Sequence, residues 1–558
     1  MPLVQIKDNK VFKIFKPYML LLLLLLTSIG FAKDDFSIRN DLLSQTCERG
    51  QGPWYILDEQ NRILRLDQSR ISFLNDKGTV LFCEGESFFS GIVTTNEVNF
   101  IGYGDIERIV VMPVMNQYFN IISLKPESLY QLFSMIRITQ DDLTLTGIEI
   151  EDYPEALISP ESTEKLNISI ENITFTQDNN YLSKLESDDN NNGLNFESSS
   201  IFDFNMLDEE PLVNKIPAID GSETRNGHSP GAIQINRMDT DLRMNTVVFK
   251  SFSRTHPIVL HTNLDLKMND VEFRNNEVKF LLVATKSMIN AEIVNLDVSK
   301  NLSAGFHFQN SDYEHPDNSK IQLKDVNFSK NSNAFINILG MSASFTRLSF
   351  ERNGLGTIDQ DYPGSAAIHV IANRDDVVQI HESNFIENNN FELNIFNGFG
   401  TITESNFIYN QSQVSILQLY GIEHNVINSK FEKNEISNIL GLIHVNSIVS
   451  LIDSYVVGNT YNYEPDMGPY SIFSIIGPRI INVPSMERFA RDTIYPREIT
   501  RKIYFKNTLI EHSRDNDVTI IGVFDDLEIG DSPIVEFKRF DEGLNTRECF
   551  WDGRTLCR

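Results

Sequence analysis

Eight asparagines recur at one position of a repeating frame: Asn276, Asn301, Asn331, Asn353, Asn388, Asn410, Asn434 and Asn459. Each stands three residues after an apolar anchor. The nine anchors are Phe249, Phe273, Val298, Phe328, Phe350, Phe385, Phe407, Phe431 and Val456, and in the first repeat Phe252 takes the place of the asparagine. Successive anchors lie 24, 25, 30, 22, 35, 22, 24 and 25 residues apart. A repeat of this length implies stacked units, each burying its apolar face only against its neighbours. The two long intervals read as repeats that carry a loop insertion.

Other columns fix the kind of unit. Five residues before the anchor stand Met244, Met268, Ile293, Leu323, Phe345, Ile380, Ile402, Val426 and Leu451, all apolar. Two before it stand Val247, Val271, Leu296, Val326 and Leu348, then Ser383, Ser405, Ser429 and Ser454. A step of two is the strand period, so this position and the anchor point the same way. The earlier apolar position is out of phase with them, which requires a bend or bulge between. The asparagine is expected to take the left-handed conformation that ends a strand, and to stack with its equivalents into a hydrogen-bonded ladder. A second strand follows the turn, as at residues 278–283, 334–339 and 414–419, and a third short one fits the remainder. Repeats rich in β-branched residues and asparagine, without 3.6-residue apolar faces, exclude a helical solenoid. The expected fold is therefore all-β: a parallel β-helix of about fifteen coils, roughly 70 Å long at ~4.8 Å per coil.

The frame extends beyond the nine repeats. Leu145, Ile148 and Ile150, then Ile170, Ile173 and Phe175, fill the same three columns, and Phe505 and Ile510 restart them later. The expected organisation is a signal peptide over 1–32, an N-terminal cap over 33–69, the β-helix over 70–520 and a C-terminal cap over 521–558. Two excursions interrupt the helix. One is an acidic, asparagine-rich insertion over 177–228; the other is a proline-containing insertion over 460–500. Long loops on a rigid scaffold often carry binding function.

Destination is read from the ends and the charge. Lys7, Lys10, Lys13 and Lys16 precede seven consecutive leucines, Leu20 to Leu26, and then Gly30-Phe31-Ala32. This is the anatomy of a secretory signal cut after Ala32, with an uncleaved anchor as the alternative. No later segment is apolar enough to span a bilayer. The formal net charge of −29 repels phosphate backbones and argues against nucleic-acid partners. The four cysteines form two pairs near the ends, Cys47 with Cys83 and Cys549 with Cys557. In an oxidising compartment these would staple the two caps; free buried thiols are the alternative. Five N-glycosylation triplets, at Asn167, Asn172, Asn301, Asn327 and Asn410, fit a secreted glycoprotein.

Catalytic signals are sparse. Asp375-Asp376 is the nearest approach to paired acids, and Asp239-x-Asp241 and Asp359-x-Asp361 offer possible oxygen ligands. None continues into a calcium-loop pattern, and Asn226-Gly227-His228-Ser229 supplies no partner. All read as solvated turn residues. No catalytic residue, metal or cofactor is assigned.

The Phe-x-x-Asn tetrapeptide resembles the passenger repeats of the polymorphic membrane proteins. Pro230-Gly231-Ala232-Ile233 and Ser365-Ala366-Ala367-Ile368 come near that family's second motif, Gly-Gly-Ala-Ile, without the double glycine. Residues 80–104 are similar to the opening coils of pectin-lyase-like β-helices. The resemblance implies a right-handed winding and a secreted or cell-surface, non-catalytic role. Such a role is adhesion to a surface glycan or protein ligand, or service as a structural spacer. The family's membrane barrel does not follow the repeats, so the expectation is release, retention by another component, or a chain that is a fragment of a longer one. The alternative is a carbohydrate-active enzyme, a polysaccharide lyase or glycoside hydrolase, since the pectin-lyase-like fold hosts both.

Overall fold

The computed structural model describes residues 42–557 with breaks, the longest at 112–133, 177–230, 311–318, 355–365, 462–472 and 476–501. The signal segment, the acidic insertion, Asp359 and Asp361, and Asn226 to Ser229 lie outside the described residues.

The chain is a parallel β-helix. Strands pair in parallel with their equivalents one coil later, in the register that the sequence columns demand. Met244, Val247 and Phe249 pair with Met268, Val271 and Phe273. Phe350 pairs with Phe385, although 35 residues separate them, and Phe175 pairs with Phe249 across the acidic insertion. Insertions therefore leave the stack without altering it. At the weak ends, Leu145 pairs with Ile170, and Leu451 and Val456 pair with Phe505 and Ile510.

Each coil runs through three sheets. In the coil anchored at Val298, a bent strand, Ile289–Ser299, supplies the first and second sheets, and Ser303–Asn310 supplies the third. The bend sits three residues before the anchor. Thr246, Asp270, Asn295, Asp325, Arg347, Glu382, Glu404, Asn428 and Asp453 occupy that position with φ between 47° and 55°. A second left-handed residue follows two after the anchor: Ser251, Asn275, Lys300, Lys330, Arg352, Glu387, Tyr409 and Lys433, with φ between 53° and 61°. The expected bend is present, but the left-handed residue at the strand end is the one before the recurring asparagine. Left-handed conformations disfavour most L-residues. Here their amides donate to the carbonyls of the next coil, as from Glu382 to Thr403 and from Lys300 to Ser329, so the inter-coil ladder continues through the turns. The asparagine is retained for a different reason, its buried side chain.

One continuous core fills the helix. The apolar columns of all three sheets, from Val80 to Ile510, are buried in it. Anchor rings stack along the axis: Phe385 on Phe407 and Phe407 on Phe431 lie 4.7 and 4.6 Å apart. Where Val298 breaks the column, Phe306 of the third sheet fills the gap, with its ring 5.6 Å from Phe273 and 5.3 Å from Phe328. Phe391 of the third sheet also packs against Phe350 and Phe385, at 6.0 and 5.5 Å. Aromatic rings at these separations add to their area burial.

Both ends turn antiparallel. Trp54–Leu57 pairs antiparallel with Arg62–Arg65 and with Gly78–Cys83, and the last of these begins the parallel stack by pairing with Val98–Tyr103. A helical turn over 42–47 packs Leu43 against Ile56 and Leu81, and the Cys47–Cys83 disulfide ties it to the first coil. Helix ends would otherwise expose core, so a cap is required. At the far end, parallel pairing persists to Val535–Phe540; Thr546–Trp551 and Thr555–Cys557 then fold back antiparallel, with Cys549 opposite Cys557. The segment over 460–500 is not wholly a side lobe, because Phe473–Ile475 pairs in parallel with residues 443–445 of the stack.

Candidate functional site

The asparagine column forms a buried ladder. The Asn388 Nδ2 donates to Asn410 Oδ1 at 2.9 Å and to the Phe350 carbonyl at 2.6 Å, while the Asn388 amide N–H donates to the same Asn410 oxygen at 3.1 Å. The pattern repeats from Asn276 to Asn459, and all eight residues are at most 1% exposed. Nδ2 has two acceptors and Oδ1 two donors at each inner rung, so the amide is fully satisfied. A serine ladder parallels it in the second half, where the Ser383, Ser405 and Ser429 amides donate to the next coil's serine hydroxyl. Both ladders are structural, and they consume the polar atoms they contain.

This placement decides among the glycosylation triplets. Asn167 and Asn172 are exposed. Asn327 is partly buried, with Nδ2 donating to Asp297 at 2.7 Å. Asn301 and Asn410 are ladder rungs whose Nδ2 atoms are buried and doubly bonded, so they present no acceptor in the folded chain.

The acidic candidates are likewise engaged. Asp376 accepts from the Ser342 hydroxyl and the Asn373 amide N–H, which closes a turn. Asp375 is exposed beside it. Asp239 accepts from Asn263, and Asp241 holds Arg243 in a two-point pair.

The outer face of the third sheet is different. Successive rungs bring Val283, His307, Asn337, His369, Asn394, Gln418 and His444 into one outward column. Two apolar clusters flank it and are separate from the main core. Phe280 and Phe335 form one together with Val283 of the column itself. Ile371, Phe396 and Tyr420 form the other, with the Phe396 and Tyr420 rings stacked at 4.7 Å. Gly305 makes the first possible: a Cβ there would lie 2.1 Å from the Phe335 ring.

Outward residues of a solvated sheet are ordinarily polar and wet. On this face His307, Asn394 and His444 are only 2, 4 and 3% exposed. Burial pushes the His307 imidazole down to about 4, opposed by its bond to Gln309 and aided by Lys279. His369 keeps some exposure, yet burial also lowers its ring to about 4. Both are neutral at pH 7. Burial raises the Glu392 carboxyl, offset in part by its hydrogen bond from Asn394. Asn394 Nδ2 also lies 2.9 Å from His369 Nδ1. Polar capacity remains unused: His307 Nδ1, Asn337 Oδ1 and Asn394 Oδ1 are buried without partners. Buried polar atoms are normally paired, so three unpaired ones in one column point to a ligand or water.

No family model, curated protein or solved structure matches this chain. The face must be interpreted from its own chemistry. Sequence reasoning missed it because the column does not keep step with the anchors. His307, Asn337 and Asn394 each lie nine residues after an anchor, but turn insertions move His369, Gln418 and His444 out of that step. Among the described residues no helix is long and apolar enough to cross a membrane.

Proposed function

We propose that the chain is a secreted or cell-surface, non-catalytic β-helix that receives an uncharged glycan on the outer face of its third sheet. The observation that carries this is the neutral His–Asn column with three unpartnered polar atoms, set between two aromatic clusters. Amides and neutral imidazoles match sugar hydroxyls as donors and acceptors, and aromatic rings cover the apolar faces of sugar rings. The face is nearly closed to water, so binding requires that it open. The basic-then-leucine N-terminus and the Cys47–Cys83 bond support an oxidising, extracellular destination. Right-handed winding and kinship with the Phe-x-x-Asn passenger repeats complete the reading; right-handed crossovers are the strong rule for parallel strands.

The test is binding of the purified secreted chain to a broad glycan array, with turnover followed on uronate polymers. Binding to neutral glycans, lost in Asn394→Ala and His307→Ala, is the expected result. Appearance of an unsaturated or hydrolysed product would establish the carbohydrate-active enzyme instead. Binding confined to extended peptides would make the ligand a protein, and no binding at all would leave a structural spacer.

A further inference from the structure

The bend before each anchor stacks its side chains in a column on the outside of the helix. Four successive members are Asp325, Arg347, Glu382 and Glu404. Arg347 pairs with Asp325, its Nη2 lying 2.7 Å from Oδ2, and reaches Glu382 at 3.7 Å. Glu404 follows Glu382 one coil later and has no basic partner among the described residues. Like charges stacked on adjacent strands repel each other.

His381 stands beside this step. Its Nδ1 lies 2.7 Å from the Thr403 hydroxyl, on the paired strand of the next coil. In the neutral tautomer that donates from Nδ1, Nε2 carries a lone pair, and Nε2 lies 3.4 Å from the Glu382 carboxylate. In that tautomer two acceptors face one another and a metal ion can sit between them; in the other, Nε2–H donates to Glu382 and Nδ1 accepts from the Thr403 hydroxyl. The ligand atoms of His381, Glu382 and Glu404 lie within 4.8 Å of one another.

We propose that His381, Glu382 and Glu404 form an exposed three-ligand site for a divalent transition-metal ion of the Zn²⁺ type. One imidazole and two carboxylates, with further positions left to water, is a donor set that Zn²⁺ accepts. Nitrogen favours such ions over Ca²⁺ and Mg²⁺, which take oxygen shells. The ion offsets the unpaired charge of Glu404. Thr403 is a positioning residue: its hydroxyl fixes the ring and directs Nε2 outward, as outer partners of metal-bound histidines do. The site is independent of the glycan reading, because it lies on the bend between the first and second sheets.

The test is titration of the tag-free chain with Zn²⁺ by calorimetry at pH 7.5, with Co²⁺ absorption as a direct view of the ligand field. One Zn²⁺ per chain is expected, with affinity falling at least 10-fold in His381→Ala and in Glu404→Gln, and about 10-fold in Thr403→Val. Millimolar Ca²⁺ does not compete. Glu404→Gln changes one exposed atom and keeps the proposal testable if His381→Ala misfolds. The absence of stoichiometric Zn²⁺ binding, or binding undiminished in both ligand variants, overturns the site and leaves a histidine–carboxylate contact.

Discussion

Asn410 Oδ1 accepts from both the side-chain and the backbone nitrogen of Asn388, at 2.9 and 3.1 Å, in a turn closed to water. Replacing Asn410 with Ala strands both donors and also removes the bond to the Phe385 carbonyl. Each stranded buried group costs about 1–3 kcal/mol. Asn410→Ala is expected to lower stability by about 3 kcal/mol or more, read as the urea unfolding midpoint. Asn459→Ala, at the last rung, strands the Asn434 donors but breaks no rung beyond it, and should cost less.

Phe306 repairs the anchor column where Val298 is too small, touching both Phe273 and Phe328. Phe306→Ala opens a cavity at the centre of the stack, for which buried aromatic truncations lose about 3–5 kcal/mol. Phe335→Ala, on the outer face, is expected to cost less than half as much. Thermal unfolding of the two variants side by side checks the ranking.

His424 lies within the core of the first sheet beside Gly400 and is 1% exposed, with the Tyr420 backbone opposing the effect of burial on its ring. Burial holds it, like His307, at about 4. These folded-state values lie below the unfolded value of about 6.5, so the unfolded chain binds protons first as pH falls. Stability is therefore full above pH 6.5, declines below it and stops declining from this cause near pH 4. Between pH 7.5 and 5.5 each ring accounts for a loss on the order of 1 kcal/mol. His424→Leu should flatten that part of the pH profile; an unchanged slope would refute the assignment.

The Cys47–Cys83 bond ties the helical turn over 42–47 to the first coil. Closing a loop of this size contributes about 3–4 kcal/mol. In a solenoid each coil contacts only its neighbours, so the double Cys→Ser variant is expected to lose protection locally. Hydrogen exchange should rise over residues 42–83, where Leu43, Ile56 and Leu81 lose their cover, and remain unchanged beyond the second coil.

Much of this architecture was legible because a β-helix imposes one environment on every coil. The anchor column, the apolar position five before it and the asparagine three after it recur in sequence because identical neighbours lie above and below. That repetition fixed register even across 35 residues between Phe350 and Phe385. The bend was also legible, from the odd step between two apolar columns. Its left-handed residues were not: Arg347, Glu382 and Glu404 carry no turn signature, since their side chains point to solvent and the inter-coil hydrogen bonds hold the backbone.

The sequence alone thus determined the fold class, the coil boundaries and the stapled N-terminal pair, because short-range period and composition encode them. Only the tertiary structure decided which outward residues meet. His307, Asn337, His369 and Asn394 become neighbours through stacking of coils of unequal length, as do His381 and Glu404 across a turn. Turn insertions scramble those spacings along the chain, while the ~4.8 Å pitch of the sheet restores them in space.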